Sequence, residues 1–386
     1  MKYTMVELGT LISQAKTVRC GDGDYPVLSM TMHDGLVFQD DKFKKVIASK
    51  DRSDYKVVYR NQLVISFPID EGVLASQRIV DAGIVSPAYG IWDIDQEKIL
   101  PEFLEYALRC ERSLSYYKAK LRGSTARRRS LPTPTLLAHM IPLPSLEEQA
   151  AVLEIIHKAS NIVASRQQEL DKLDELIKAR FVELFGDPEM NPLGWKKDPL
   201  STIIVNANNG MARRGNDDDG NIVMRLVELQ DGYIDYSNPN RIILKDNEKK
   251  RYLLKDKDFL FARVNGNPDN VGRCAVFHDI GEDVYHNDHI IRVHFDESIL
   301  NGTFASALFN SDYGKRQLKG QIKTSAGQYT VSQDGIGAIV AILPPMEIQE
   351  QFDLFVKQVD KSKVVVQKAL DEAQLLFDSL MQKYFG

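Results

Sequence analysis

Cys274, His278, His286, His289 and His294 fall within 21 residues. All five are metal-ligating types, and zinc is the ion they would suit. Their spacing matches no finger pattern. Several fall on alternating positions of VYHNDHIIRVHF (284–295), a strand-like run. Histidines satisfied by strand neighbours are the plainer reading, and no metal is expected. Other catalytic signatures are missing. The chain has no GxxxxGK[ST], no HExxH and no GxSxG. It has no NPPY- or DPPY-type tetrapeptide of the kind that grips a flipped base in amino-methyltransferases. GDG at 21–23 lacks the rest of a dinucleotide fingerprint and reads as a loop. A non-catalytic protein that binds no cofactor of its own is the expectation.

The residues that remain suggest contact with a polyanion. RSLSYYKAKLRGSTARRR (112–129) holds Arg112, Lys118, Lys120, Arg122, Arg127, Arg128 and Arg129 with no acid, and Tyr116-Tyr117 among them. YGKRQLKGQIKTSAGQY (313–329) holds Lys315, Arg316, Lys319 and Lys323, again with no acid. Alone, either run would read as a solvated face. Their recurrence at equivalent places favours phosphate contact. Two polar loops, NNGMARRGNDDDGN (208–221) and ARVNGNPDNVG (262–272), add Arg213, Arg214, Arg263 and Asn265. Arginine suits guanine edges and asparagine suits adenine edges. The candidate DNA contacts are therefore Lys118, Lys120, Arg122, Arg127, Arg128, Arg129, Arg213, Arg214, Arg263, Asn265, Lys315, Arg316, Lys319 and Lys323.

These groups need elements to position them. The length of 386 residues exceeds one ordinary domain, and 43% hydrophobic residues allow each unit a core. The three cysteines, Cys20, Cys110 and Cys274, lie far apart without a CxxC pair, which fits a reducing compartment. MKYTMVELGT lacks the apolar core of a signal peptide, and the apolar stretch IGAIVAIL is too short to span a bilayer. A cytoplasmic protein with no membrane contact is expected. The net charge is −5 overall, but residues 1–140 carry +3 while 141–186, 187–340 and 341–386 carry −3, −3 and −2. A chain that bound nucleic acid unaided would be more basic, so a partner is expected to share the phosphate contacts.

The chain is an internal repeat. Residues 141–186 and 341–386 align without a gap at an offset of 200. Leu143, Pro144, Glu147, Gln149, Gln167, Leu170, Asp171, Leu176, Phe185 and Gly186 recur as Leu343, Pro344, Glu347, Gln349, Gln367, Leu370, Asp371, Leu376, Phe385 and Gly386. LGTLI (8–12) matches LSTII (200–204), so the second copy has eight extra residues in its body. Within the bodies, VVYRNQLVIS (57–66) and RYLLKDKDFLFAR (251–263) each predict a turn leading into an apolar strand. IVSPAYGIWDID (84–95) and VYHNDHIIRVHF predict strands. ILPEFLEYALRCE (99–111) and ILNGTFASALFNSD (299–312) predict helices.

The two tails predict long helices. In the second, Phe352, Val356, Val359, Val366, Leu370, Ala373, Phe377, Leu380 and Tyr384 step by threes and fours apart from Lys363. In the first, Val152, Ile156, Ala159, Val163, Leu170, Leu173, Ile177 and Leu184 do the same, with Arg166 and Arg180 in the missing slots. This is a heptad seam. SLEE (145–148) has the form of a capping box, Pro344-Pro345 mark the second start, and Gly186 and Gly386 are natural stops. The expected fold class is α+β. Two mixed α/β bodies (1–140 and 188–340) stand in tandem pseudo-repeat, separated by two long antiparallel coiled-coil-like helices (141–187 and 341–386).

GSTARRR, IPLPSLEEQ and ELFG in the first copy, and KTSAGQ, ILPPMEIQEQ and KYFG in the second, resemble the repeated phrases of Type I restriction–modification DNA-specificity subunits. The resemblance covers essentially the whole chain. Ser145 stands where that family commonly has a second proline, and Ile348-Gln349 where Glu-Gln is usual. The resemblance implies two target-recognition domains and a non-catalytic role in binding double-stranded DNA. It implies two methyltransferase (modification) subunits as partners, with a restriction/translocase subunit able to join. S-adenosylmethionine, ATP and Mg would belong to those partners. It also implies a bipartite, asymmetric target whose fixed gap is set by the helices. Two other readings remain: a stand-alone DNA-binding regulator, and a scaffold whose bodies bind protein.

Overall fold

Ser145 opens the first long helix as the sequence predicts. The Glu148 carboxylate accepts from the Ser145 amide at 2.9 Å, and the Ser145 hydroxyl accepts from the Glu148 amide at 3.3 Å. This reciprocal box satisfies first-turn amides that have no partner inside the helix. The helix runs Leu146–Phe185, and Gly186 ends it in the left-handed region at φ 72. Its counterpart runs Met346–Phe385. The computed structural model describes residues 3–32, 34–42, 52–121, 131–325 and 327–386.

By its internal contacts the chain forms two units, each including a stretch of both long helices. The first takes Met1–Gln167 and Gln367–Gly386; the second takes Gln168–Val366.

The first unit is built on an antiparallel sheet in the order Ile12–Gln14, Gly90–Ile94, Leu63–Ile65, Leu74–Ser76. Side chains alternate across it, as a strand's period of two requires. Leu63, Leu74, Trp92 and Ile94 face the helix Pro101–Arg109 and its Phe103, Leu104, Ala107 and Leu108. Val64, Ala75 and Ile91 face the other way, onto Leu28, Leu36 and Val85. Val152, Leu153 and Ile156 of one long helix and Phe377, Leu380, Met381, Tyr384 and Phe385 of the other join the helix-side core.

The second unit repeats this order of pairing: Ile204–Asn209, Ile290–Phe295, Phe259–Ala262, Cys274–Val276. Phe259, Phe261, Ile291 and Val293 pack on the helix Gly302–Asn310, while Leu260 and Ala262 face an added core of Ile222, Met224, Leu229 and Phe277. Ile177, Phe181, Leu184 and Phe185 meet Ile348, Phe352 and Val356 here. In each unit, then, the start of one long helix lies beside the end of the other. The architecture is α+β, as expected.

The paired phrases of the repeat acquire physical meaning. Each body is closed by a short antiparallel pair between its first and last strands: Met5–Glu7 with Met140–Pro142, and Lys196–Pro199 with Val340–Leu343. Gln149 and Gln349 are both wholly buried. The Gln149 amide accepts from Leu100 N (2.8 Å) and donates to Lys98 O (2.9 Å) and Pro144 O (3.0 Å). The Gln349 amide accepts from Asn301 N (2.9 Å) and donates to Ile299 O (3.0 Å) and Pro344 O (2.8 Å). Each glutamine thus ties the start of a long helix to the chain entering its body's helix. Removing a buried partner leaves desolvated backbone groups that cost about 1–3 kcal/mol each. Gln349→Ala is expected to destabilise the second unit by about 3 kcal/mol, and Gln149→Ala the first by as much. Segment-resolved hydrogen exchange in urea checks both; protection unchanged at residues 299–310 in the first variant would count against this role.

Two of the seam's three charged interruptions are also accounted for. Lys363 is ion-paired with Asp174 and lies 3.7 Å from Asp360. Arg180 binds Glu183 at 2.8 Å and sits 5.6 Å from the centre of the Phe355 ring.

Candidate nucleic-acid interface

The loop after the strand Ile204–Asn209 carries Arg213 and Arg214, and both are heavily engaged. Arg213 grips the Glu248 carboxylate at two points, Nε at 3.2 Å and Nη2 at 2.8 Å, and donates to Ile243 O at 2.7 Å. Bidentate pairing of this kind is the strong form of an Arg–carboxylate bond. It holds the Glu248 carboxyl down at about 2. Arg214 donates to Asp288 Oδ1 at 2.6 Å and to Ala212 O at 3.0 Å, and lies 3.1 Å from His289 Nε2. Burial and the adjacent Arg214 push the His289 pKa below its ordinary value. Both arginines therefore hold loops in place through most of their donors.

Arg263 differs. It follows directly on the core strand Phe259–Ala262. Its amide donates to His289 O at 2.7 Å and its Nη1 to Asp288 O at 3.0 Å. Its Nε and Nη2 have no partner among the described residues. Two residues on, Asn265 accepts from Asn267 N at 2.9 Å, which turns the chain and leaves its amide nitrogen free of partners among the described residues. Val264–Asn265 pairs with Gln328–Thr330, and that strand pairs with Lys323–Ser325. The structure thus brings exposed Lys323 onto one small three-stranded sheet with Asn265, next to Arg263, although Lys323 lies 58 residues beyond Asn265 in the chain. Gln333 donates to Asn209 Oδ1 at 3.2 Å and links this sheet to the Arg213–Arg214 loop.

The other cations of the second basic run lie on the helix Asp312–Gly320, and each has an acid beside it. Lys315 is 2.8 Å from Asp231, Arg316 is 2.9 Å from Glu189, and Lys319 is 3.5 Å from Asp269. Exposed pairs of this kind are weak, about 0–1 kcal/mol, and leave the cations available to a phosphate.

In the first unit, Lys118 and Lys120 stand exposed in the last turn of the helix Glu111–Lys120. Arg122, Arg127, Arg128 and Arg129 lie outside the described residues. Tyr116 and Tyr117, which the sequence sets among these cations, do structural work. Tyr117 is fully buried, and Tyr116 donates to Thr135 O at 2.8 Å and stacks on His139 with centroids 4.4 Å apart. His139 lies 2.8 Å from the Ser113 hydroxyl, and burial lowers its pKa to about 4.

The five potential metal ligands have separate surroundings. Cys274 is wholly buried in the second unit's core. His286 Nδ1 is 3.1 Å from Tyr252 O, His294 Nδ1 is 3.1 Å from Asp258, and His278 Nδ1 is 3.6 Å from Asp256. His289 lies against Arg214. Among the described residues no group of three His, Cys, Asp or Glu side chains lies together in the way a metal ion requires.

Sequence reasoning missed the anchoring role of Asp288 and His289. Both fall inside the run 284–295 read as one strand, whereas the structure breaks it into Val284–His286 and Ile290–Phe295 with these two residues between, and nothing in their spacing marks them as anchors for Arg214 and Arg263. It also missed which side chains the two units present from their shared backbone frame. In the first unit Ser66 N donates to Val73 O at 3.0 Å; in the second Ala262 N donates to Arg273 O at 2.7 Å. A left-handed glycine precedes each acceptor, Gly72 at φ 75 and Gly272 at φ 85. The next residue out is Phe67 in one unit, 52% exposed, and Arg263 in the other.

No family model matches the sequence. The chain is 28% identical over 255 residues to the Type I restriction enzyme StySPI specificity subunit of Salmonella potsdam, a match over 63% of this chain and 55% of that protein. It is 24% identical over 263 residues to the EcoKI specificity subunit of Escherichia coli K12, over 64% of this chain and 56% of that one. The matched stretch thus spans about half the length of these relatives. Two solved structures resemble it in fold across the whole chain. One is a type I R-M system protein, from work on complex assembly and conformational transition, with TM-score 0.56 and 15% identity, covering 97% of that chain. The other is the type I restriction-modification S subunit from M. genitalium, with TM-score 0.53 and 14% identity, covering 96% of that chain.

Proposed function

We propose that this chain, similar in sequence and fold to Type I specificity subunits, is the DNA sequence-specificity subunit of a Type I restriction–modification complex. The observation that carries this reading is the contrast between Phe67 and Arg263. One backbone frame occurs twice in the chain and presents an apolar ring in one unit and a guanidinium in the other. That is what a reader of two unlike half-sites needs. Phenylalanine suits a thymine methyl, and arginine suits guanine.

In this reading residues 1–140 and 188–340 are target-recognition domains, and 141–187 and 341–386 are the conserved helical regions between them. The helices form an antiparallel coiled-coil spacer and set a fixed gap between the half-sites. The target is bipartite and asymmetric. The chain itself is non-catalytic. Two methyltransferase subunits supply S-adenosylmethionine and methylate adenine, and a restriction/translocase subunit with ATP and Mg can join. The net charge of −5 is consistent with partners that share the phosphate grip. The protein works in the cytoplasm; no helix among the described residues is long and apolar enough to cross a membrane.

The test is a map of methylated adenines in the source genome with and without the gene. A gapped, two-part motif that disappears on deletion is expected. An unchanged map, together with no methyltransferase co-purifying with the chain, would overturn the assignment.

A further inference from the structure

The short helix Asp246–Tyr252 ends in Lys249, Lys250 and Arg251, a basic turn outside both candidate runs. Four of the candidate cations have acidic neighbours: Arg214 has Asp288, Lys315 has Asp231, Arg316 has Glu189 and Lys319 has Asp269. Lys249, Lys250 and Arg251 have no acidic partner among the described residues. The helix's own acids are Asp246 and Glu248; Asp246 makes no ion pair with the turn among the described residues, and Glu248 has both carboxylate oxygens occupied by Arg213 and also accepts from Lys245 N at 2.8 Å. It is therefore unavailable to neutralise the turn.

Seven residues cannot hold a helix by propensity alone. This one is held from the reading surface. Arg213 reaches out of its loop to grip Glu248 and Ile243 O. The Asn208 amide, from the strand that leads into that loop, donates to Arg251 O at 3.3 Å. Asn209, next in that strand, is bonded to Gln333 beside the Asn265–Lys323 sheet. The basic turn is thus tied through bonded neighbours to the groups best placed to read bases. Lys250 and Arg251 are exposed, and Arg251 is steadied 5.5 Å from the centre of the Tyr252 ring.

We propose that Lys249, Lys250 and Arg251 bind backbone phosphates of duplex DNA beside the half-site read by the second unit, with Arg213 as the positioning residue that presents them. This rests on the specificity-subunit reading above. Unpaired cations can bind a phosphate without first giving up a protein partner, so each phosphate contact displaces DNA counterions at full effect. Arg213 and Arg214, taken from sequence as base contacts, then act mainly by holding the frame.

The test is the salt dependence of DNA binding by the complex purified through a tag on this chain, using a duplex of about 40 base pairs containing the mapped motif. The wild type is expected to lose affinity steeply as salt rises. The variant K249Q/K250Q/R251Q is expected to lower the log–log slope by about 3, since each phosphate contact contributes about 0.9. Arg213→Gln is expected to lower it by part of that amount while segment-resolved hydrogen exchange of the second unit's core strands stays near wild type. Arg213→Lys should rescue poorly, because lysine cannot make the two-point grip. A triple variant with the wild-type slope would overturn this proposal alone. A wild-type complex whose binding ignores salt would overturn the DNA-specificity reading beneath it.

Discussion

Replacing Phe185 with alanine is expected to loosen the body that follows it in the chain, not the one that precedes it. Phe185 ends the helix that grows out of the first body, yet its ring lies 4.5 Å from Phe304, 5.5 Å from Phe352 and 5.0 Å from Phe181, all in the second unit. The Trp195 indole donates to its carbonyl at 3.0 Å. Phe385 behaves reciprocally. It ends the second copy but packs in the first unit, 4.9 Å from Phe103 and 6.1 Å from Tyr106, and the Cys110 thiol lies 3.4 Å from its carbonyl. Both rings are almost wholly buried. Phe→Ala in a core costs about 3–5 kcal/mol, the lost transfer energy plus the cavity left behind. A protein of two units need not unfold in one step, so a single melting temperature is a poor readout. Hydrogen exchange resolved by segment is the right one. F185A should deprotect residues 259–310 and leave 63–109 close to wild type; F385A should do the reverse. Deprotection of the preceding body in either variant would contradict this packing.

The repeat of Phe-Gly at 186 and 386 was legible in the sequence, but its physical basis was not. Spacing shows that two segments share a plan; it does not show which body each ending enters. The long helices, their capping box and the left-handed Gly186 were legible because each rests on local chemistry within one turn. The seam was read through Leu184, whereas the buried contacts at that end are Phe181 and Phe185. There Phe181 and Phe185 pack on Phe304 of the body as well as on Phe352 of the other long helix, and a heptad count carries on regardless. The site was legible in residue type only. Arg213, Arg214 and Arg263 look alike as sequence. The difference between a guanidinium bound to Glu248 and one with unpartnered donors depends on Glu248, Asp288 and His289, which lie 25 to 75 residues away. Local reading cannot supply such partners.

On the specificity-subunit reading proposed above, deleting one turn, residues 164–167, from the first long helix is expected to abolish site-specific methylation, and a matched deletion in the second helix is expected to restore it with a shorter gap. Four residues span about 6 Å of helix. Residues 164–167 are exposed, so no core is directly removed. Ile156 packs in the first unit and Phe181 in the second, 25 residues apart on one helix; Phe352 packs in the second unit and Phe377 in the first, also 25 apart. Shortening one helix alone makes the two lengths unequal, so the contacts of both units cannot be kept at once. Either Phe181 and Phe185 leave their core or the start at Val152 and Ile156 slips, and methylation should fall by more than tenfold. Shortening both helices by the same turn makes the lengths equal again. The spacer is then about 6 Å shorter, near two base pairs at about 3.4 Å per pair on each strand. Mapping methylated adenines in cells carrying each variant reads the result directly. If the single deletion left both the gap and the extent of methylation unchanged, the helices would not be the ruler. If the double deletion methylated the original motif, the gap would be set by something other than their length.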